Sequence, residues 1–138
     1  MIVYLDASVV LRVVLGQPGA LAEWPEVEVG VSSALMEVEC LRTLDRLRLR
    51  VGMDAHEIAE RREAVYRLCE EMEIVTPSAS VLARAAQPFP TALGTLDAVH
   101  LATALLWRET RQEPLVFATH DLALATAARA SGLRVLGT

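Results

Sequence analysis

Short runs rich in apolar and β-branched residues, almost free of polar alternation, recur along this chain, and each hands over to a segment of helical period. IVYL at residues 2–5 is the first, followed by residues 27–31, 74–75, 115–118 and 135–136. A strand with one wet face alternates apolar and polar residues, so runs without that alternation imply a parallel sheet covered on both faces. The helical segments lie between them: residues 7–15, stopped by Gly16; residues 34 to about 49, with Ser32 or Ser33 as N-cap and Gly52 closing. A long charged helix capped by Asp54 runs to about Met72, and Pro77 and Ser78 open another to about Ala86. After the loop QPFPTALG come a helix from Thr95 to about Trp107 and one from Asp121 to about Ala130, stopped by Gly132. These boundaries follow from caps, glycines and prolines.

Strand and helix in strict alternation define an α/β fold of three layers, helices on both faces of a central sheet of four to five strands. At 138 residues and 53% apolar content the chain is read as a single domain with a substantial core. No apolar run approaches the ~20 residues of a membrane span. The start MIVYLDAS lacks a secretory signal, so a cytoplasmic location is expected. All 13 basic residues are arginine, with no lysine or asparagine. That excludes a P-loop, and it excludes phospho-aspartate chemistry that sets a lysine beside the phosphoryl group. The seven glycines nowhere form G-x-G-x-x-G, and Cys40 and Cys69, far apart in helical segments, are read as core thiols.

In open α/β sheets ligands bind beyond the carboxyl ends of the strands. Four carboxylates fall there: Asp6 after the first strand, Glu39 in the helix after the second, Asp97 in the first turn of a helix, and Asp121 after the fourth strand. Each also has a structural reading: an Asx-turn for Asp6, a solvated helix position for Glu39, complementing a helix N-terminus for Asp97 and an N-cap for Asp121. Together, with no lysine to neutralise them, they are costly unless a cation joins them. Hard oxygen ligands suit Mg2+, with Mn2+ as a second choice, and phosphate-ester chemistry. Glu39 is preferred to Glu37 because a helix turns ~100° per residue. Glu39 shares its stripe with Arg42, Thr43 and Arg46, whereas Glu37 sits among Met36, Cys40, Leu41 and Leu44 and is read as a partner contact.

The blocks IVYLDASVVL, VSSALMEVECLR, TLDAVHLATALLW and VFATHDLALATAARASGLRVL, spanning nearly the whole chain, resemble the motifs of PIN-domain nucleases, in particular the VapC toxins of bacterial VapBC toxin–antitoxin modules. The family's acidic site falls on Asp6, Glu39, Asp97 and Asp121. The resemblance implies a sheet order 3-2-1-4-5, a homodimer, the long helix from Asp54 among the elements that clamp a partner, and a metal-dependent endoribonuclease silenced by a VapB-type antitoxin. Metal-assisted hydrolysis would use Asp6 and Asp97 as direct ligands, Glu39 as ligand or water-orienting group, and Asp121 through a water or a second metal. Glu37, an extra acid, and His120, between Thr119 and Asp121, are the departures from the family pattern.

Ser8 and Thr119 are expected to orient Asp6 and Asp121, or else to cap local turns. A net charge of −5 disfavours nucleic acid, yet neutralising the four carboxylates would bring it close to zero, and seven arginines lie between Arg42 and Arg67. Arg42 and Arg46 are the candidate RNA phosphate contacts, against simple pairing on a solvated helix. His100 is assigned to packing rather than ligation, His120 to an exposed loop position close enough to touch substrate, and His56 to solvent. Trp24 and Trp107 do not make a base-stacking platform. Two other functions remain open from sequence: a catalytically silent binding module of the same fold, and a metal nuclease outside any toxin module.

Overall fold

The computed structural model describes residues 1–138. Its elements are β1 (Ile2–Leu5), α1 (Ala7–Val14), a 3-10 turn (Trp24–Glu26), β2 (Val29–Ser33), α2 (Ala34–Val51), α3 (Ala55–Glu71) and β3 (Glu73–Val75). They continue with α4 (Ala79–Ala85), α5 (Thr95–Arg111), β4 (Val116–Ala118), α6 (Leu122–Ala130) and β5 (Arg134–Leu136). All strand pairs are parallel, in the order β3-β2-β1-β4-β5. The fold class and strand order are those expected. No helix is long and apolar enough to cross a membrane.

The unbroken apolar strands divide their side chains between two cores. On β1, Val3 and Leu5 face α1, α2 and α3, together with Val9, Val10, Met36, Cys40, Leu44 and Val65. Tyr4 points to the other side, into a core with Phe117 of β4, Leu101 and Leu105 of α5, Leu124 of α6, and Leu133 from the turn before β5. Period 2 along each strand thus feeds both layers. Tyr4 and Phe117 are register partners on adjacent strands and their rings stack with centroids 5.0 Å apart.

Local chemistry sets the helix ends. Asp54, Ser78 and Asp121 accept from the backbone N–H of Glu57, Val81 and Leu124 at 2.8, 3.3 and 2.9 Å. Gly52 ends α2 in the left-handed conformation, φ 68°.

Two boundaries differ from the sequence reading. β2 lies two residues later than 27–31, because Ser32 and Ser33 complete the strand. Both are fully buried; Ser32 Oγ donates to the Leu5 carbonyl at 2.7 Å, and Ser33 Oγ accepts from Leu35 N at 3.2 Å. Helix α5 continues one turn past Trp107, where Arg108 donates to the Gly132 carbonyl at 2.9 Å, Arg84 pairs with Glu109 at 3.2 Å and Arg111 pairs with Glu73.

Phe117 is fully buried, so Phe117→Ala should cost about 3–5 kcal/mol of unfolding free energy. Leu49, 75% exposed, should tolerate alanine within about 0.5 kcal/mol. Urea midpoints of the two variants against the wild type check both values.

Candidate active site

Asp6 is carried to the end of the central strand, where its backbone N–H still donates to the Ala118 carbonyl at 3.1 Å. At that depth its carboxylate needs donors. One oxygen, Oδ2, accepts from Ser8 Oγ at 2.6 Å and Thr119 Oγ1 at 2.9 Å. The same hydroxyls accept in turn: Ser8 Oγ from His120 N at 3.0 Å, Thr119 Oγ1 from Asp121 N at 3.0 Å. The turn after β4 is thereby stitched to the start of α1. Asp6 occupies the N-cap position of α1 but makes no capping bond, so the Asx-turn reading does not account for its side chain.

Gly137 closes this corner. Its φ of 95° disfavours any side chain, and an added Cβ would stand 2.6 Å from the Thr119 carbonyl oxygen. Its own carbonyl accepts from His120 Nδ1 at 2.7 Å, and the buried Nε2 of that ring has no hydrogen-bond partner. His120 is therefore half-buried and engaged, not the exposed loop histidine expected.

Asp97, in the first turn of α5, has its pKa raised. Burial is the largest cause, followed by the charges of Asp121 and Asp6, with Glu39 adding and His100 opposing. The other three predicted carboxylates thus all act on Asp97. Asp121 is the most exposed, and its Oδ1 also caps α6, so its structural reading holds beside the functional one.

Glu39 projects from α2 to the α5 side, where its Oε1 meets Nε2 of His100. His100 is fully buried, and its Nδ1 lies 2.7 Å from the Tyr4 hydroxyl. Burial works to lower the His100 pKa, but the hydrogen bond and charge of Glu39, reinforced by Asp6 and Asp97, raise it overall. Burial and the Asp6 charge push the Tyr4 phenol well up. Sequence reasoning assigned His100 to packing and missed both contacts. The available signal was its position three residues after Asp97, inside an apolar helix where an imidazole must find partners.

Glu37 turns the other way, to the Cys69 thiol on α3 of the same chain, rather than standing free for a partner. Burial first, and then Glu37, push that thiol up to about 11; burial pushes Cys40 up to about 12. Neither cysteine is a nucleophile at neutral pH. His56 pairs with Glu60 on the exposed face of α3.

The donor chemistry fits a divalent cation: four carboxylates, no lysine, and an Asp97 whose ionisation is opposed first by burial and then by the charges of Asp121, Asp6 and Glu39. No three of these groups are drawn close enough to grip an ion as they stand, as expected of like charges held apart by their own repulsion. Beside Glu39, a groove of about 280 Å³ is lined by Leu35, Val38, Arg42, Thr43, Arg46 and Leu96. Arg46 donates to Thr43 Oγ1 at 3.1 Å, and Arg42 stands 4.0 Å from Asp45, whose closer partner is Arg48 at 3.0 Å. Both guanidinium groups border the groove.

An all-parallel sheet in this order, with helices on both faces and carboxylates beyond the ends of its strands, is the class of fold that the sequence resemblance implied. A family model for the PIN domain matches residues 3–130, and the chain belongs to the PIN-domain family, whose members are in general nucleases using divalent metal ions. Among solved structures, the chain is similar to a toxin–antitoxin complex from Klebsiella pneumoniae, with a TM-score of 0.63 and 16% identity over 88% of this chain and 87% of that one. No curated protein matches the sequence significantly.

Because the raised Asp97 holds its proton to higher pH in the folded chain than in the unfolded one, the folded state loses relative stability as pH rises through that value. Asp97→Asn should therefore raise the melting temperature at pH 7 by about 2–4 °C, with the gain vanishing at acid pH. Mn2+ should stabilise the wild type and leave Asp97→Asn unmoved. Melting curves across pH, with and without metal, check this.

Proposed function

We propose that residues 1–138 form a single PIN domain acting as a divalent-metal-dependent endoribonuclease, with Mg2+ as the working ion and Mn2+ as a substitute. Its role in this reading is that of the toxin of a type II module, held inactive by a cognate VapB-type antitoxin. The observation that carries it is the PIN-domain match over residues 3–130, together with the position of Asp97 among carboxylates whose charges raise its pKa. A divalent ion bound there supplies positive charge to a scissile phosphate and lowers the pKa of an attacking water.

The chain's own residues do the rest. Ser8 and Thr119 pin one oxygen of Asp6, which orients the other. Asp6 and Asp97 are the direct ligands, Glu39 a ligand or the group that orients the water, and Asp121, more exposed, acts through a water or a second ion. Arg42 and Arg46 hold RNA phosphates leading into the site, and the apolar Val38 and Leu96 between them suit an antitoxin segment. The structural neighbour's being a toxin–antitoxin complex supports a partner of that kind. A homodimer and a cytoplasmic location complete the reading.

Purified protein should cut total RNA only with Mg2+ or Mn2+, and Asp97→Asn should abolish cutting. Absence of cleavage by folded, antitoxin-free wild type would move the assignment to a binding module. For the groove, replacing both Arg42 and Arg46 by alanine should weaken binding of single-stranded RNA and lower the slope of log K against log salt by about 1.4. An unchanged slope would remove both arginines from the interface.

A further inference from the structure

We propose that His100, braced by Tyr4, is a positioning residue that holds the Glu39 carboxylate at the edge of the metal site. This rests on the reading of Glu39 as part of that site. Glu39 belongs to α2 on one face of the sheet and His100 to α5 on the other, so no packing within one layer fixes their relation.

A carboxylate can only accept, so the hydrogen between His100 Nε2 and Glu39 Oε1 belongs to the imidazole whatever its charge state. In the neutral ring that leaves Nδ1 to accept from the Tyr4 hydroxyl, 2.7 Å away. Tyr4 cannot drift: it is fully buried on the central strand, stacked on Phe117 and edge-on to the imidazole at 5.9 Å. A chain of fixed groups thus runs from β1 through α5 to Glu39. Glu39 keeps one oxygen engaged by protein and the other available to an ion or a water. Without His100, a long glutamate side chain one quarter exposed would sample several rotamers, and the site would have to order it on each binding event.

Two measurements test this independently of nuclease activity. Imidazole 15N spectra should show His100 protonated at Nε2, with that proton slow to exchange; a bare Nε2 would overturn the proposal. Mn2+ binding followed by electron paramagnetic resonance should weaken by about 10-fold or more in His100→Leu. His100→Gln, whose amide can donate to Glu39, should recover most of the loss, and Tyr4→Phe should show a smaller loss. With RNA, His100→Leu should lower kcat at fixed metal while leaving the RNA KM unchanged.

A folded His100→Leu with wild-type Mn2+ affinity would overturn the proposal. If that variant fails to fold, Tyr4→Phe and the wild-type imidazole spectrum still decide. A wild type that binds Mn2+ and cuts no RNA would sink the nuclease reading while leaving the His100 result standing. A wild type that binds no Mn2+ would remove Glu39 from any metal site and overturn the proposal together with the metal reading.

Discussion

Parallel pairing of β1 with β4 sets Asp6 beside Thr119 at the ends of the two central strands, and the hydrogen bond between them organises the carboxyl edge of the sheet. A carboxylate buried to 5% exposure is tolerable only when its lone pairs meet donors. Ser8 and Thr119 satisfy one oxygen, and both hydroxyls are oriented by backbone amides of the turn that delivers Asp121. The strand register, the turn after β4 and the start of α1 are therefore parts of one arrangement. Gly137 belongs to it as well, since any Cβ there would collide with the Thr119 carbonyl.

Around this corner the protein concentrates negative charge that its own residues do not neutralise. The chain has arginine but no lysine, and Arg42 and Arg46 border a groove beside Glu39 without an ion pair to any of the four carboxylates. Asp6 receives only neutral hydroxyl donors and Asp121 a backbone amide, and the imidazole of His100 engages Glu39. The raised pKa of Asp97 is a cost to the folded state of the kind found at sites built for function, and one that the proposed cation would relieve.

Much of the fold was legible because its signals are local. Unbroken apolar runs implied a two-sided sheet, and Gly52, Asp54, Ser78 and Gly132 marked helix ends where they occur. The strand order came from the resemblance of four motif blocks and not from periodicity. What failed was also physical. Ser33 does cap α2, its hydroxyl accepting from Leu35 N, but the strand runs two residues past its apolar stretch, because a serine at a buried strand end, such as Ser32 donating to the Leu5 carbonyl, looks polar in sequence. The last turn of α5 was missed because Arg108, Glu109 and Arg111 are held by residues distant in sequence. The acidic positions could be found from where strands end, whereas the Tyr4, His100 and Glu39 contacts join three elements, and spacing showed only that His100 lies one turn beyond Asp97 and needs partners, not which ones.

Helix α5 carries Asp97 in its first turn, His100 in its second, and Trp107 in its fourth, where the indole donates to Glu73 of the edge strand at 3.0 Å. Each residue added to or removed from a helix rotates everything beyond it by about 100°. Within this span, then, length is not a free variable: one inserted residue would turn either the site end or the edge-strand clamp away from its partners. Changes in chain length can be absorbed instead in the loops on either side, before Thr95 and after Gln112, where the backbone is already irregular. Relatives that differ in size should keep this stretch at constant length while the sequence around it varies.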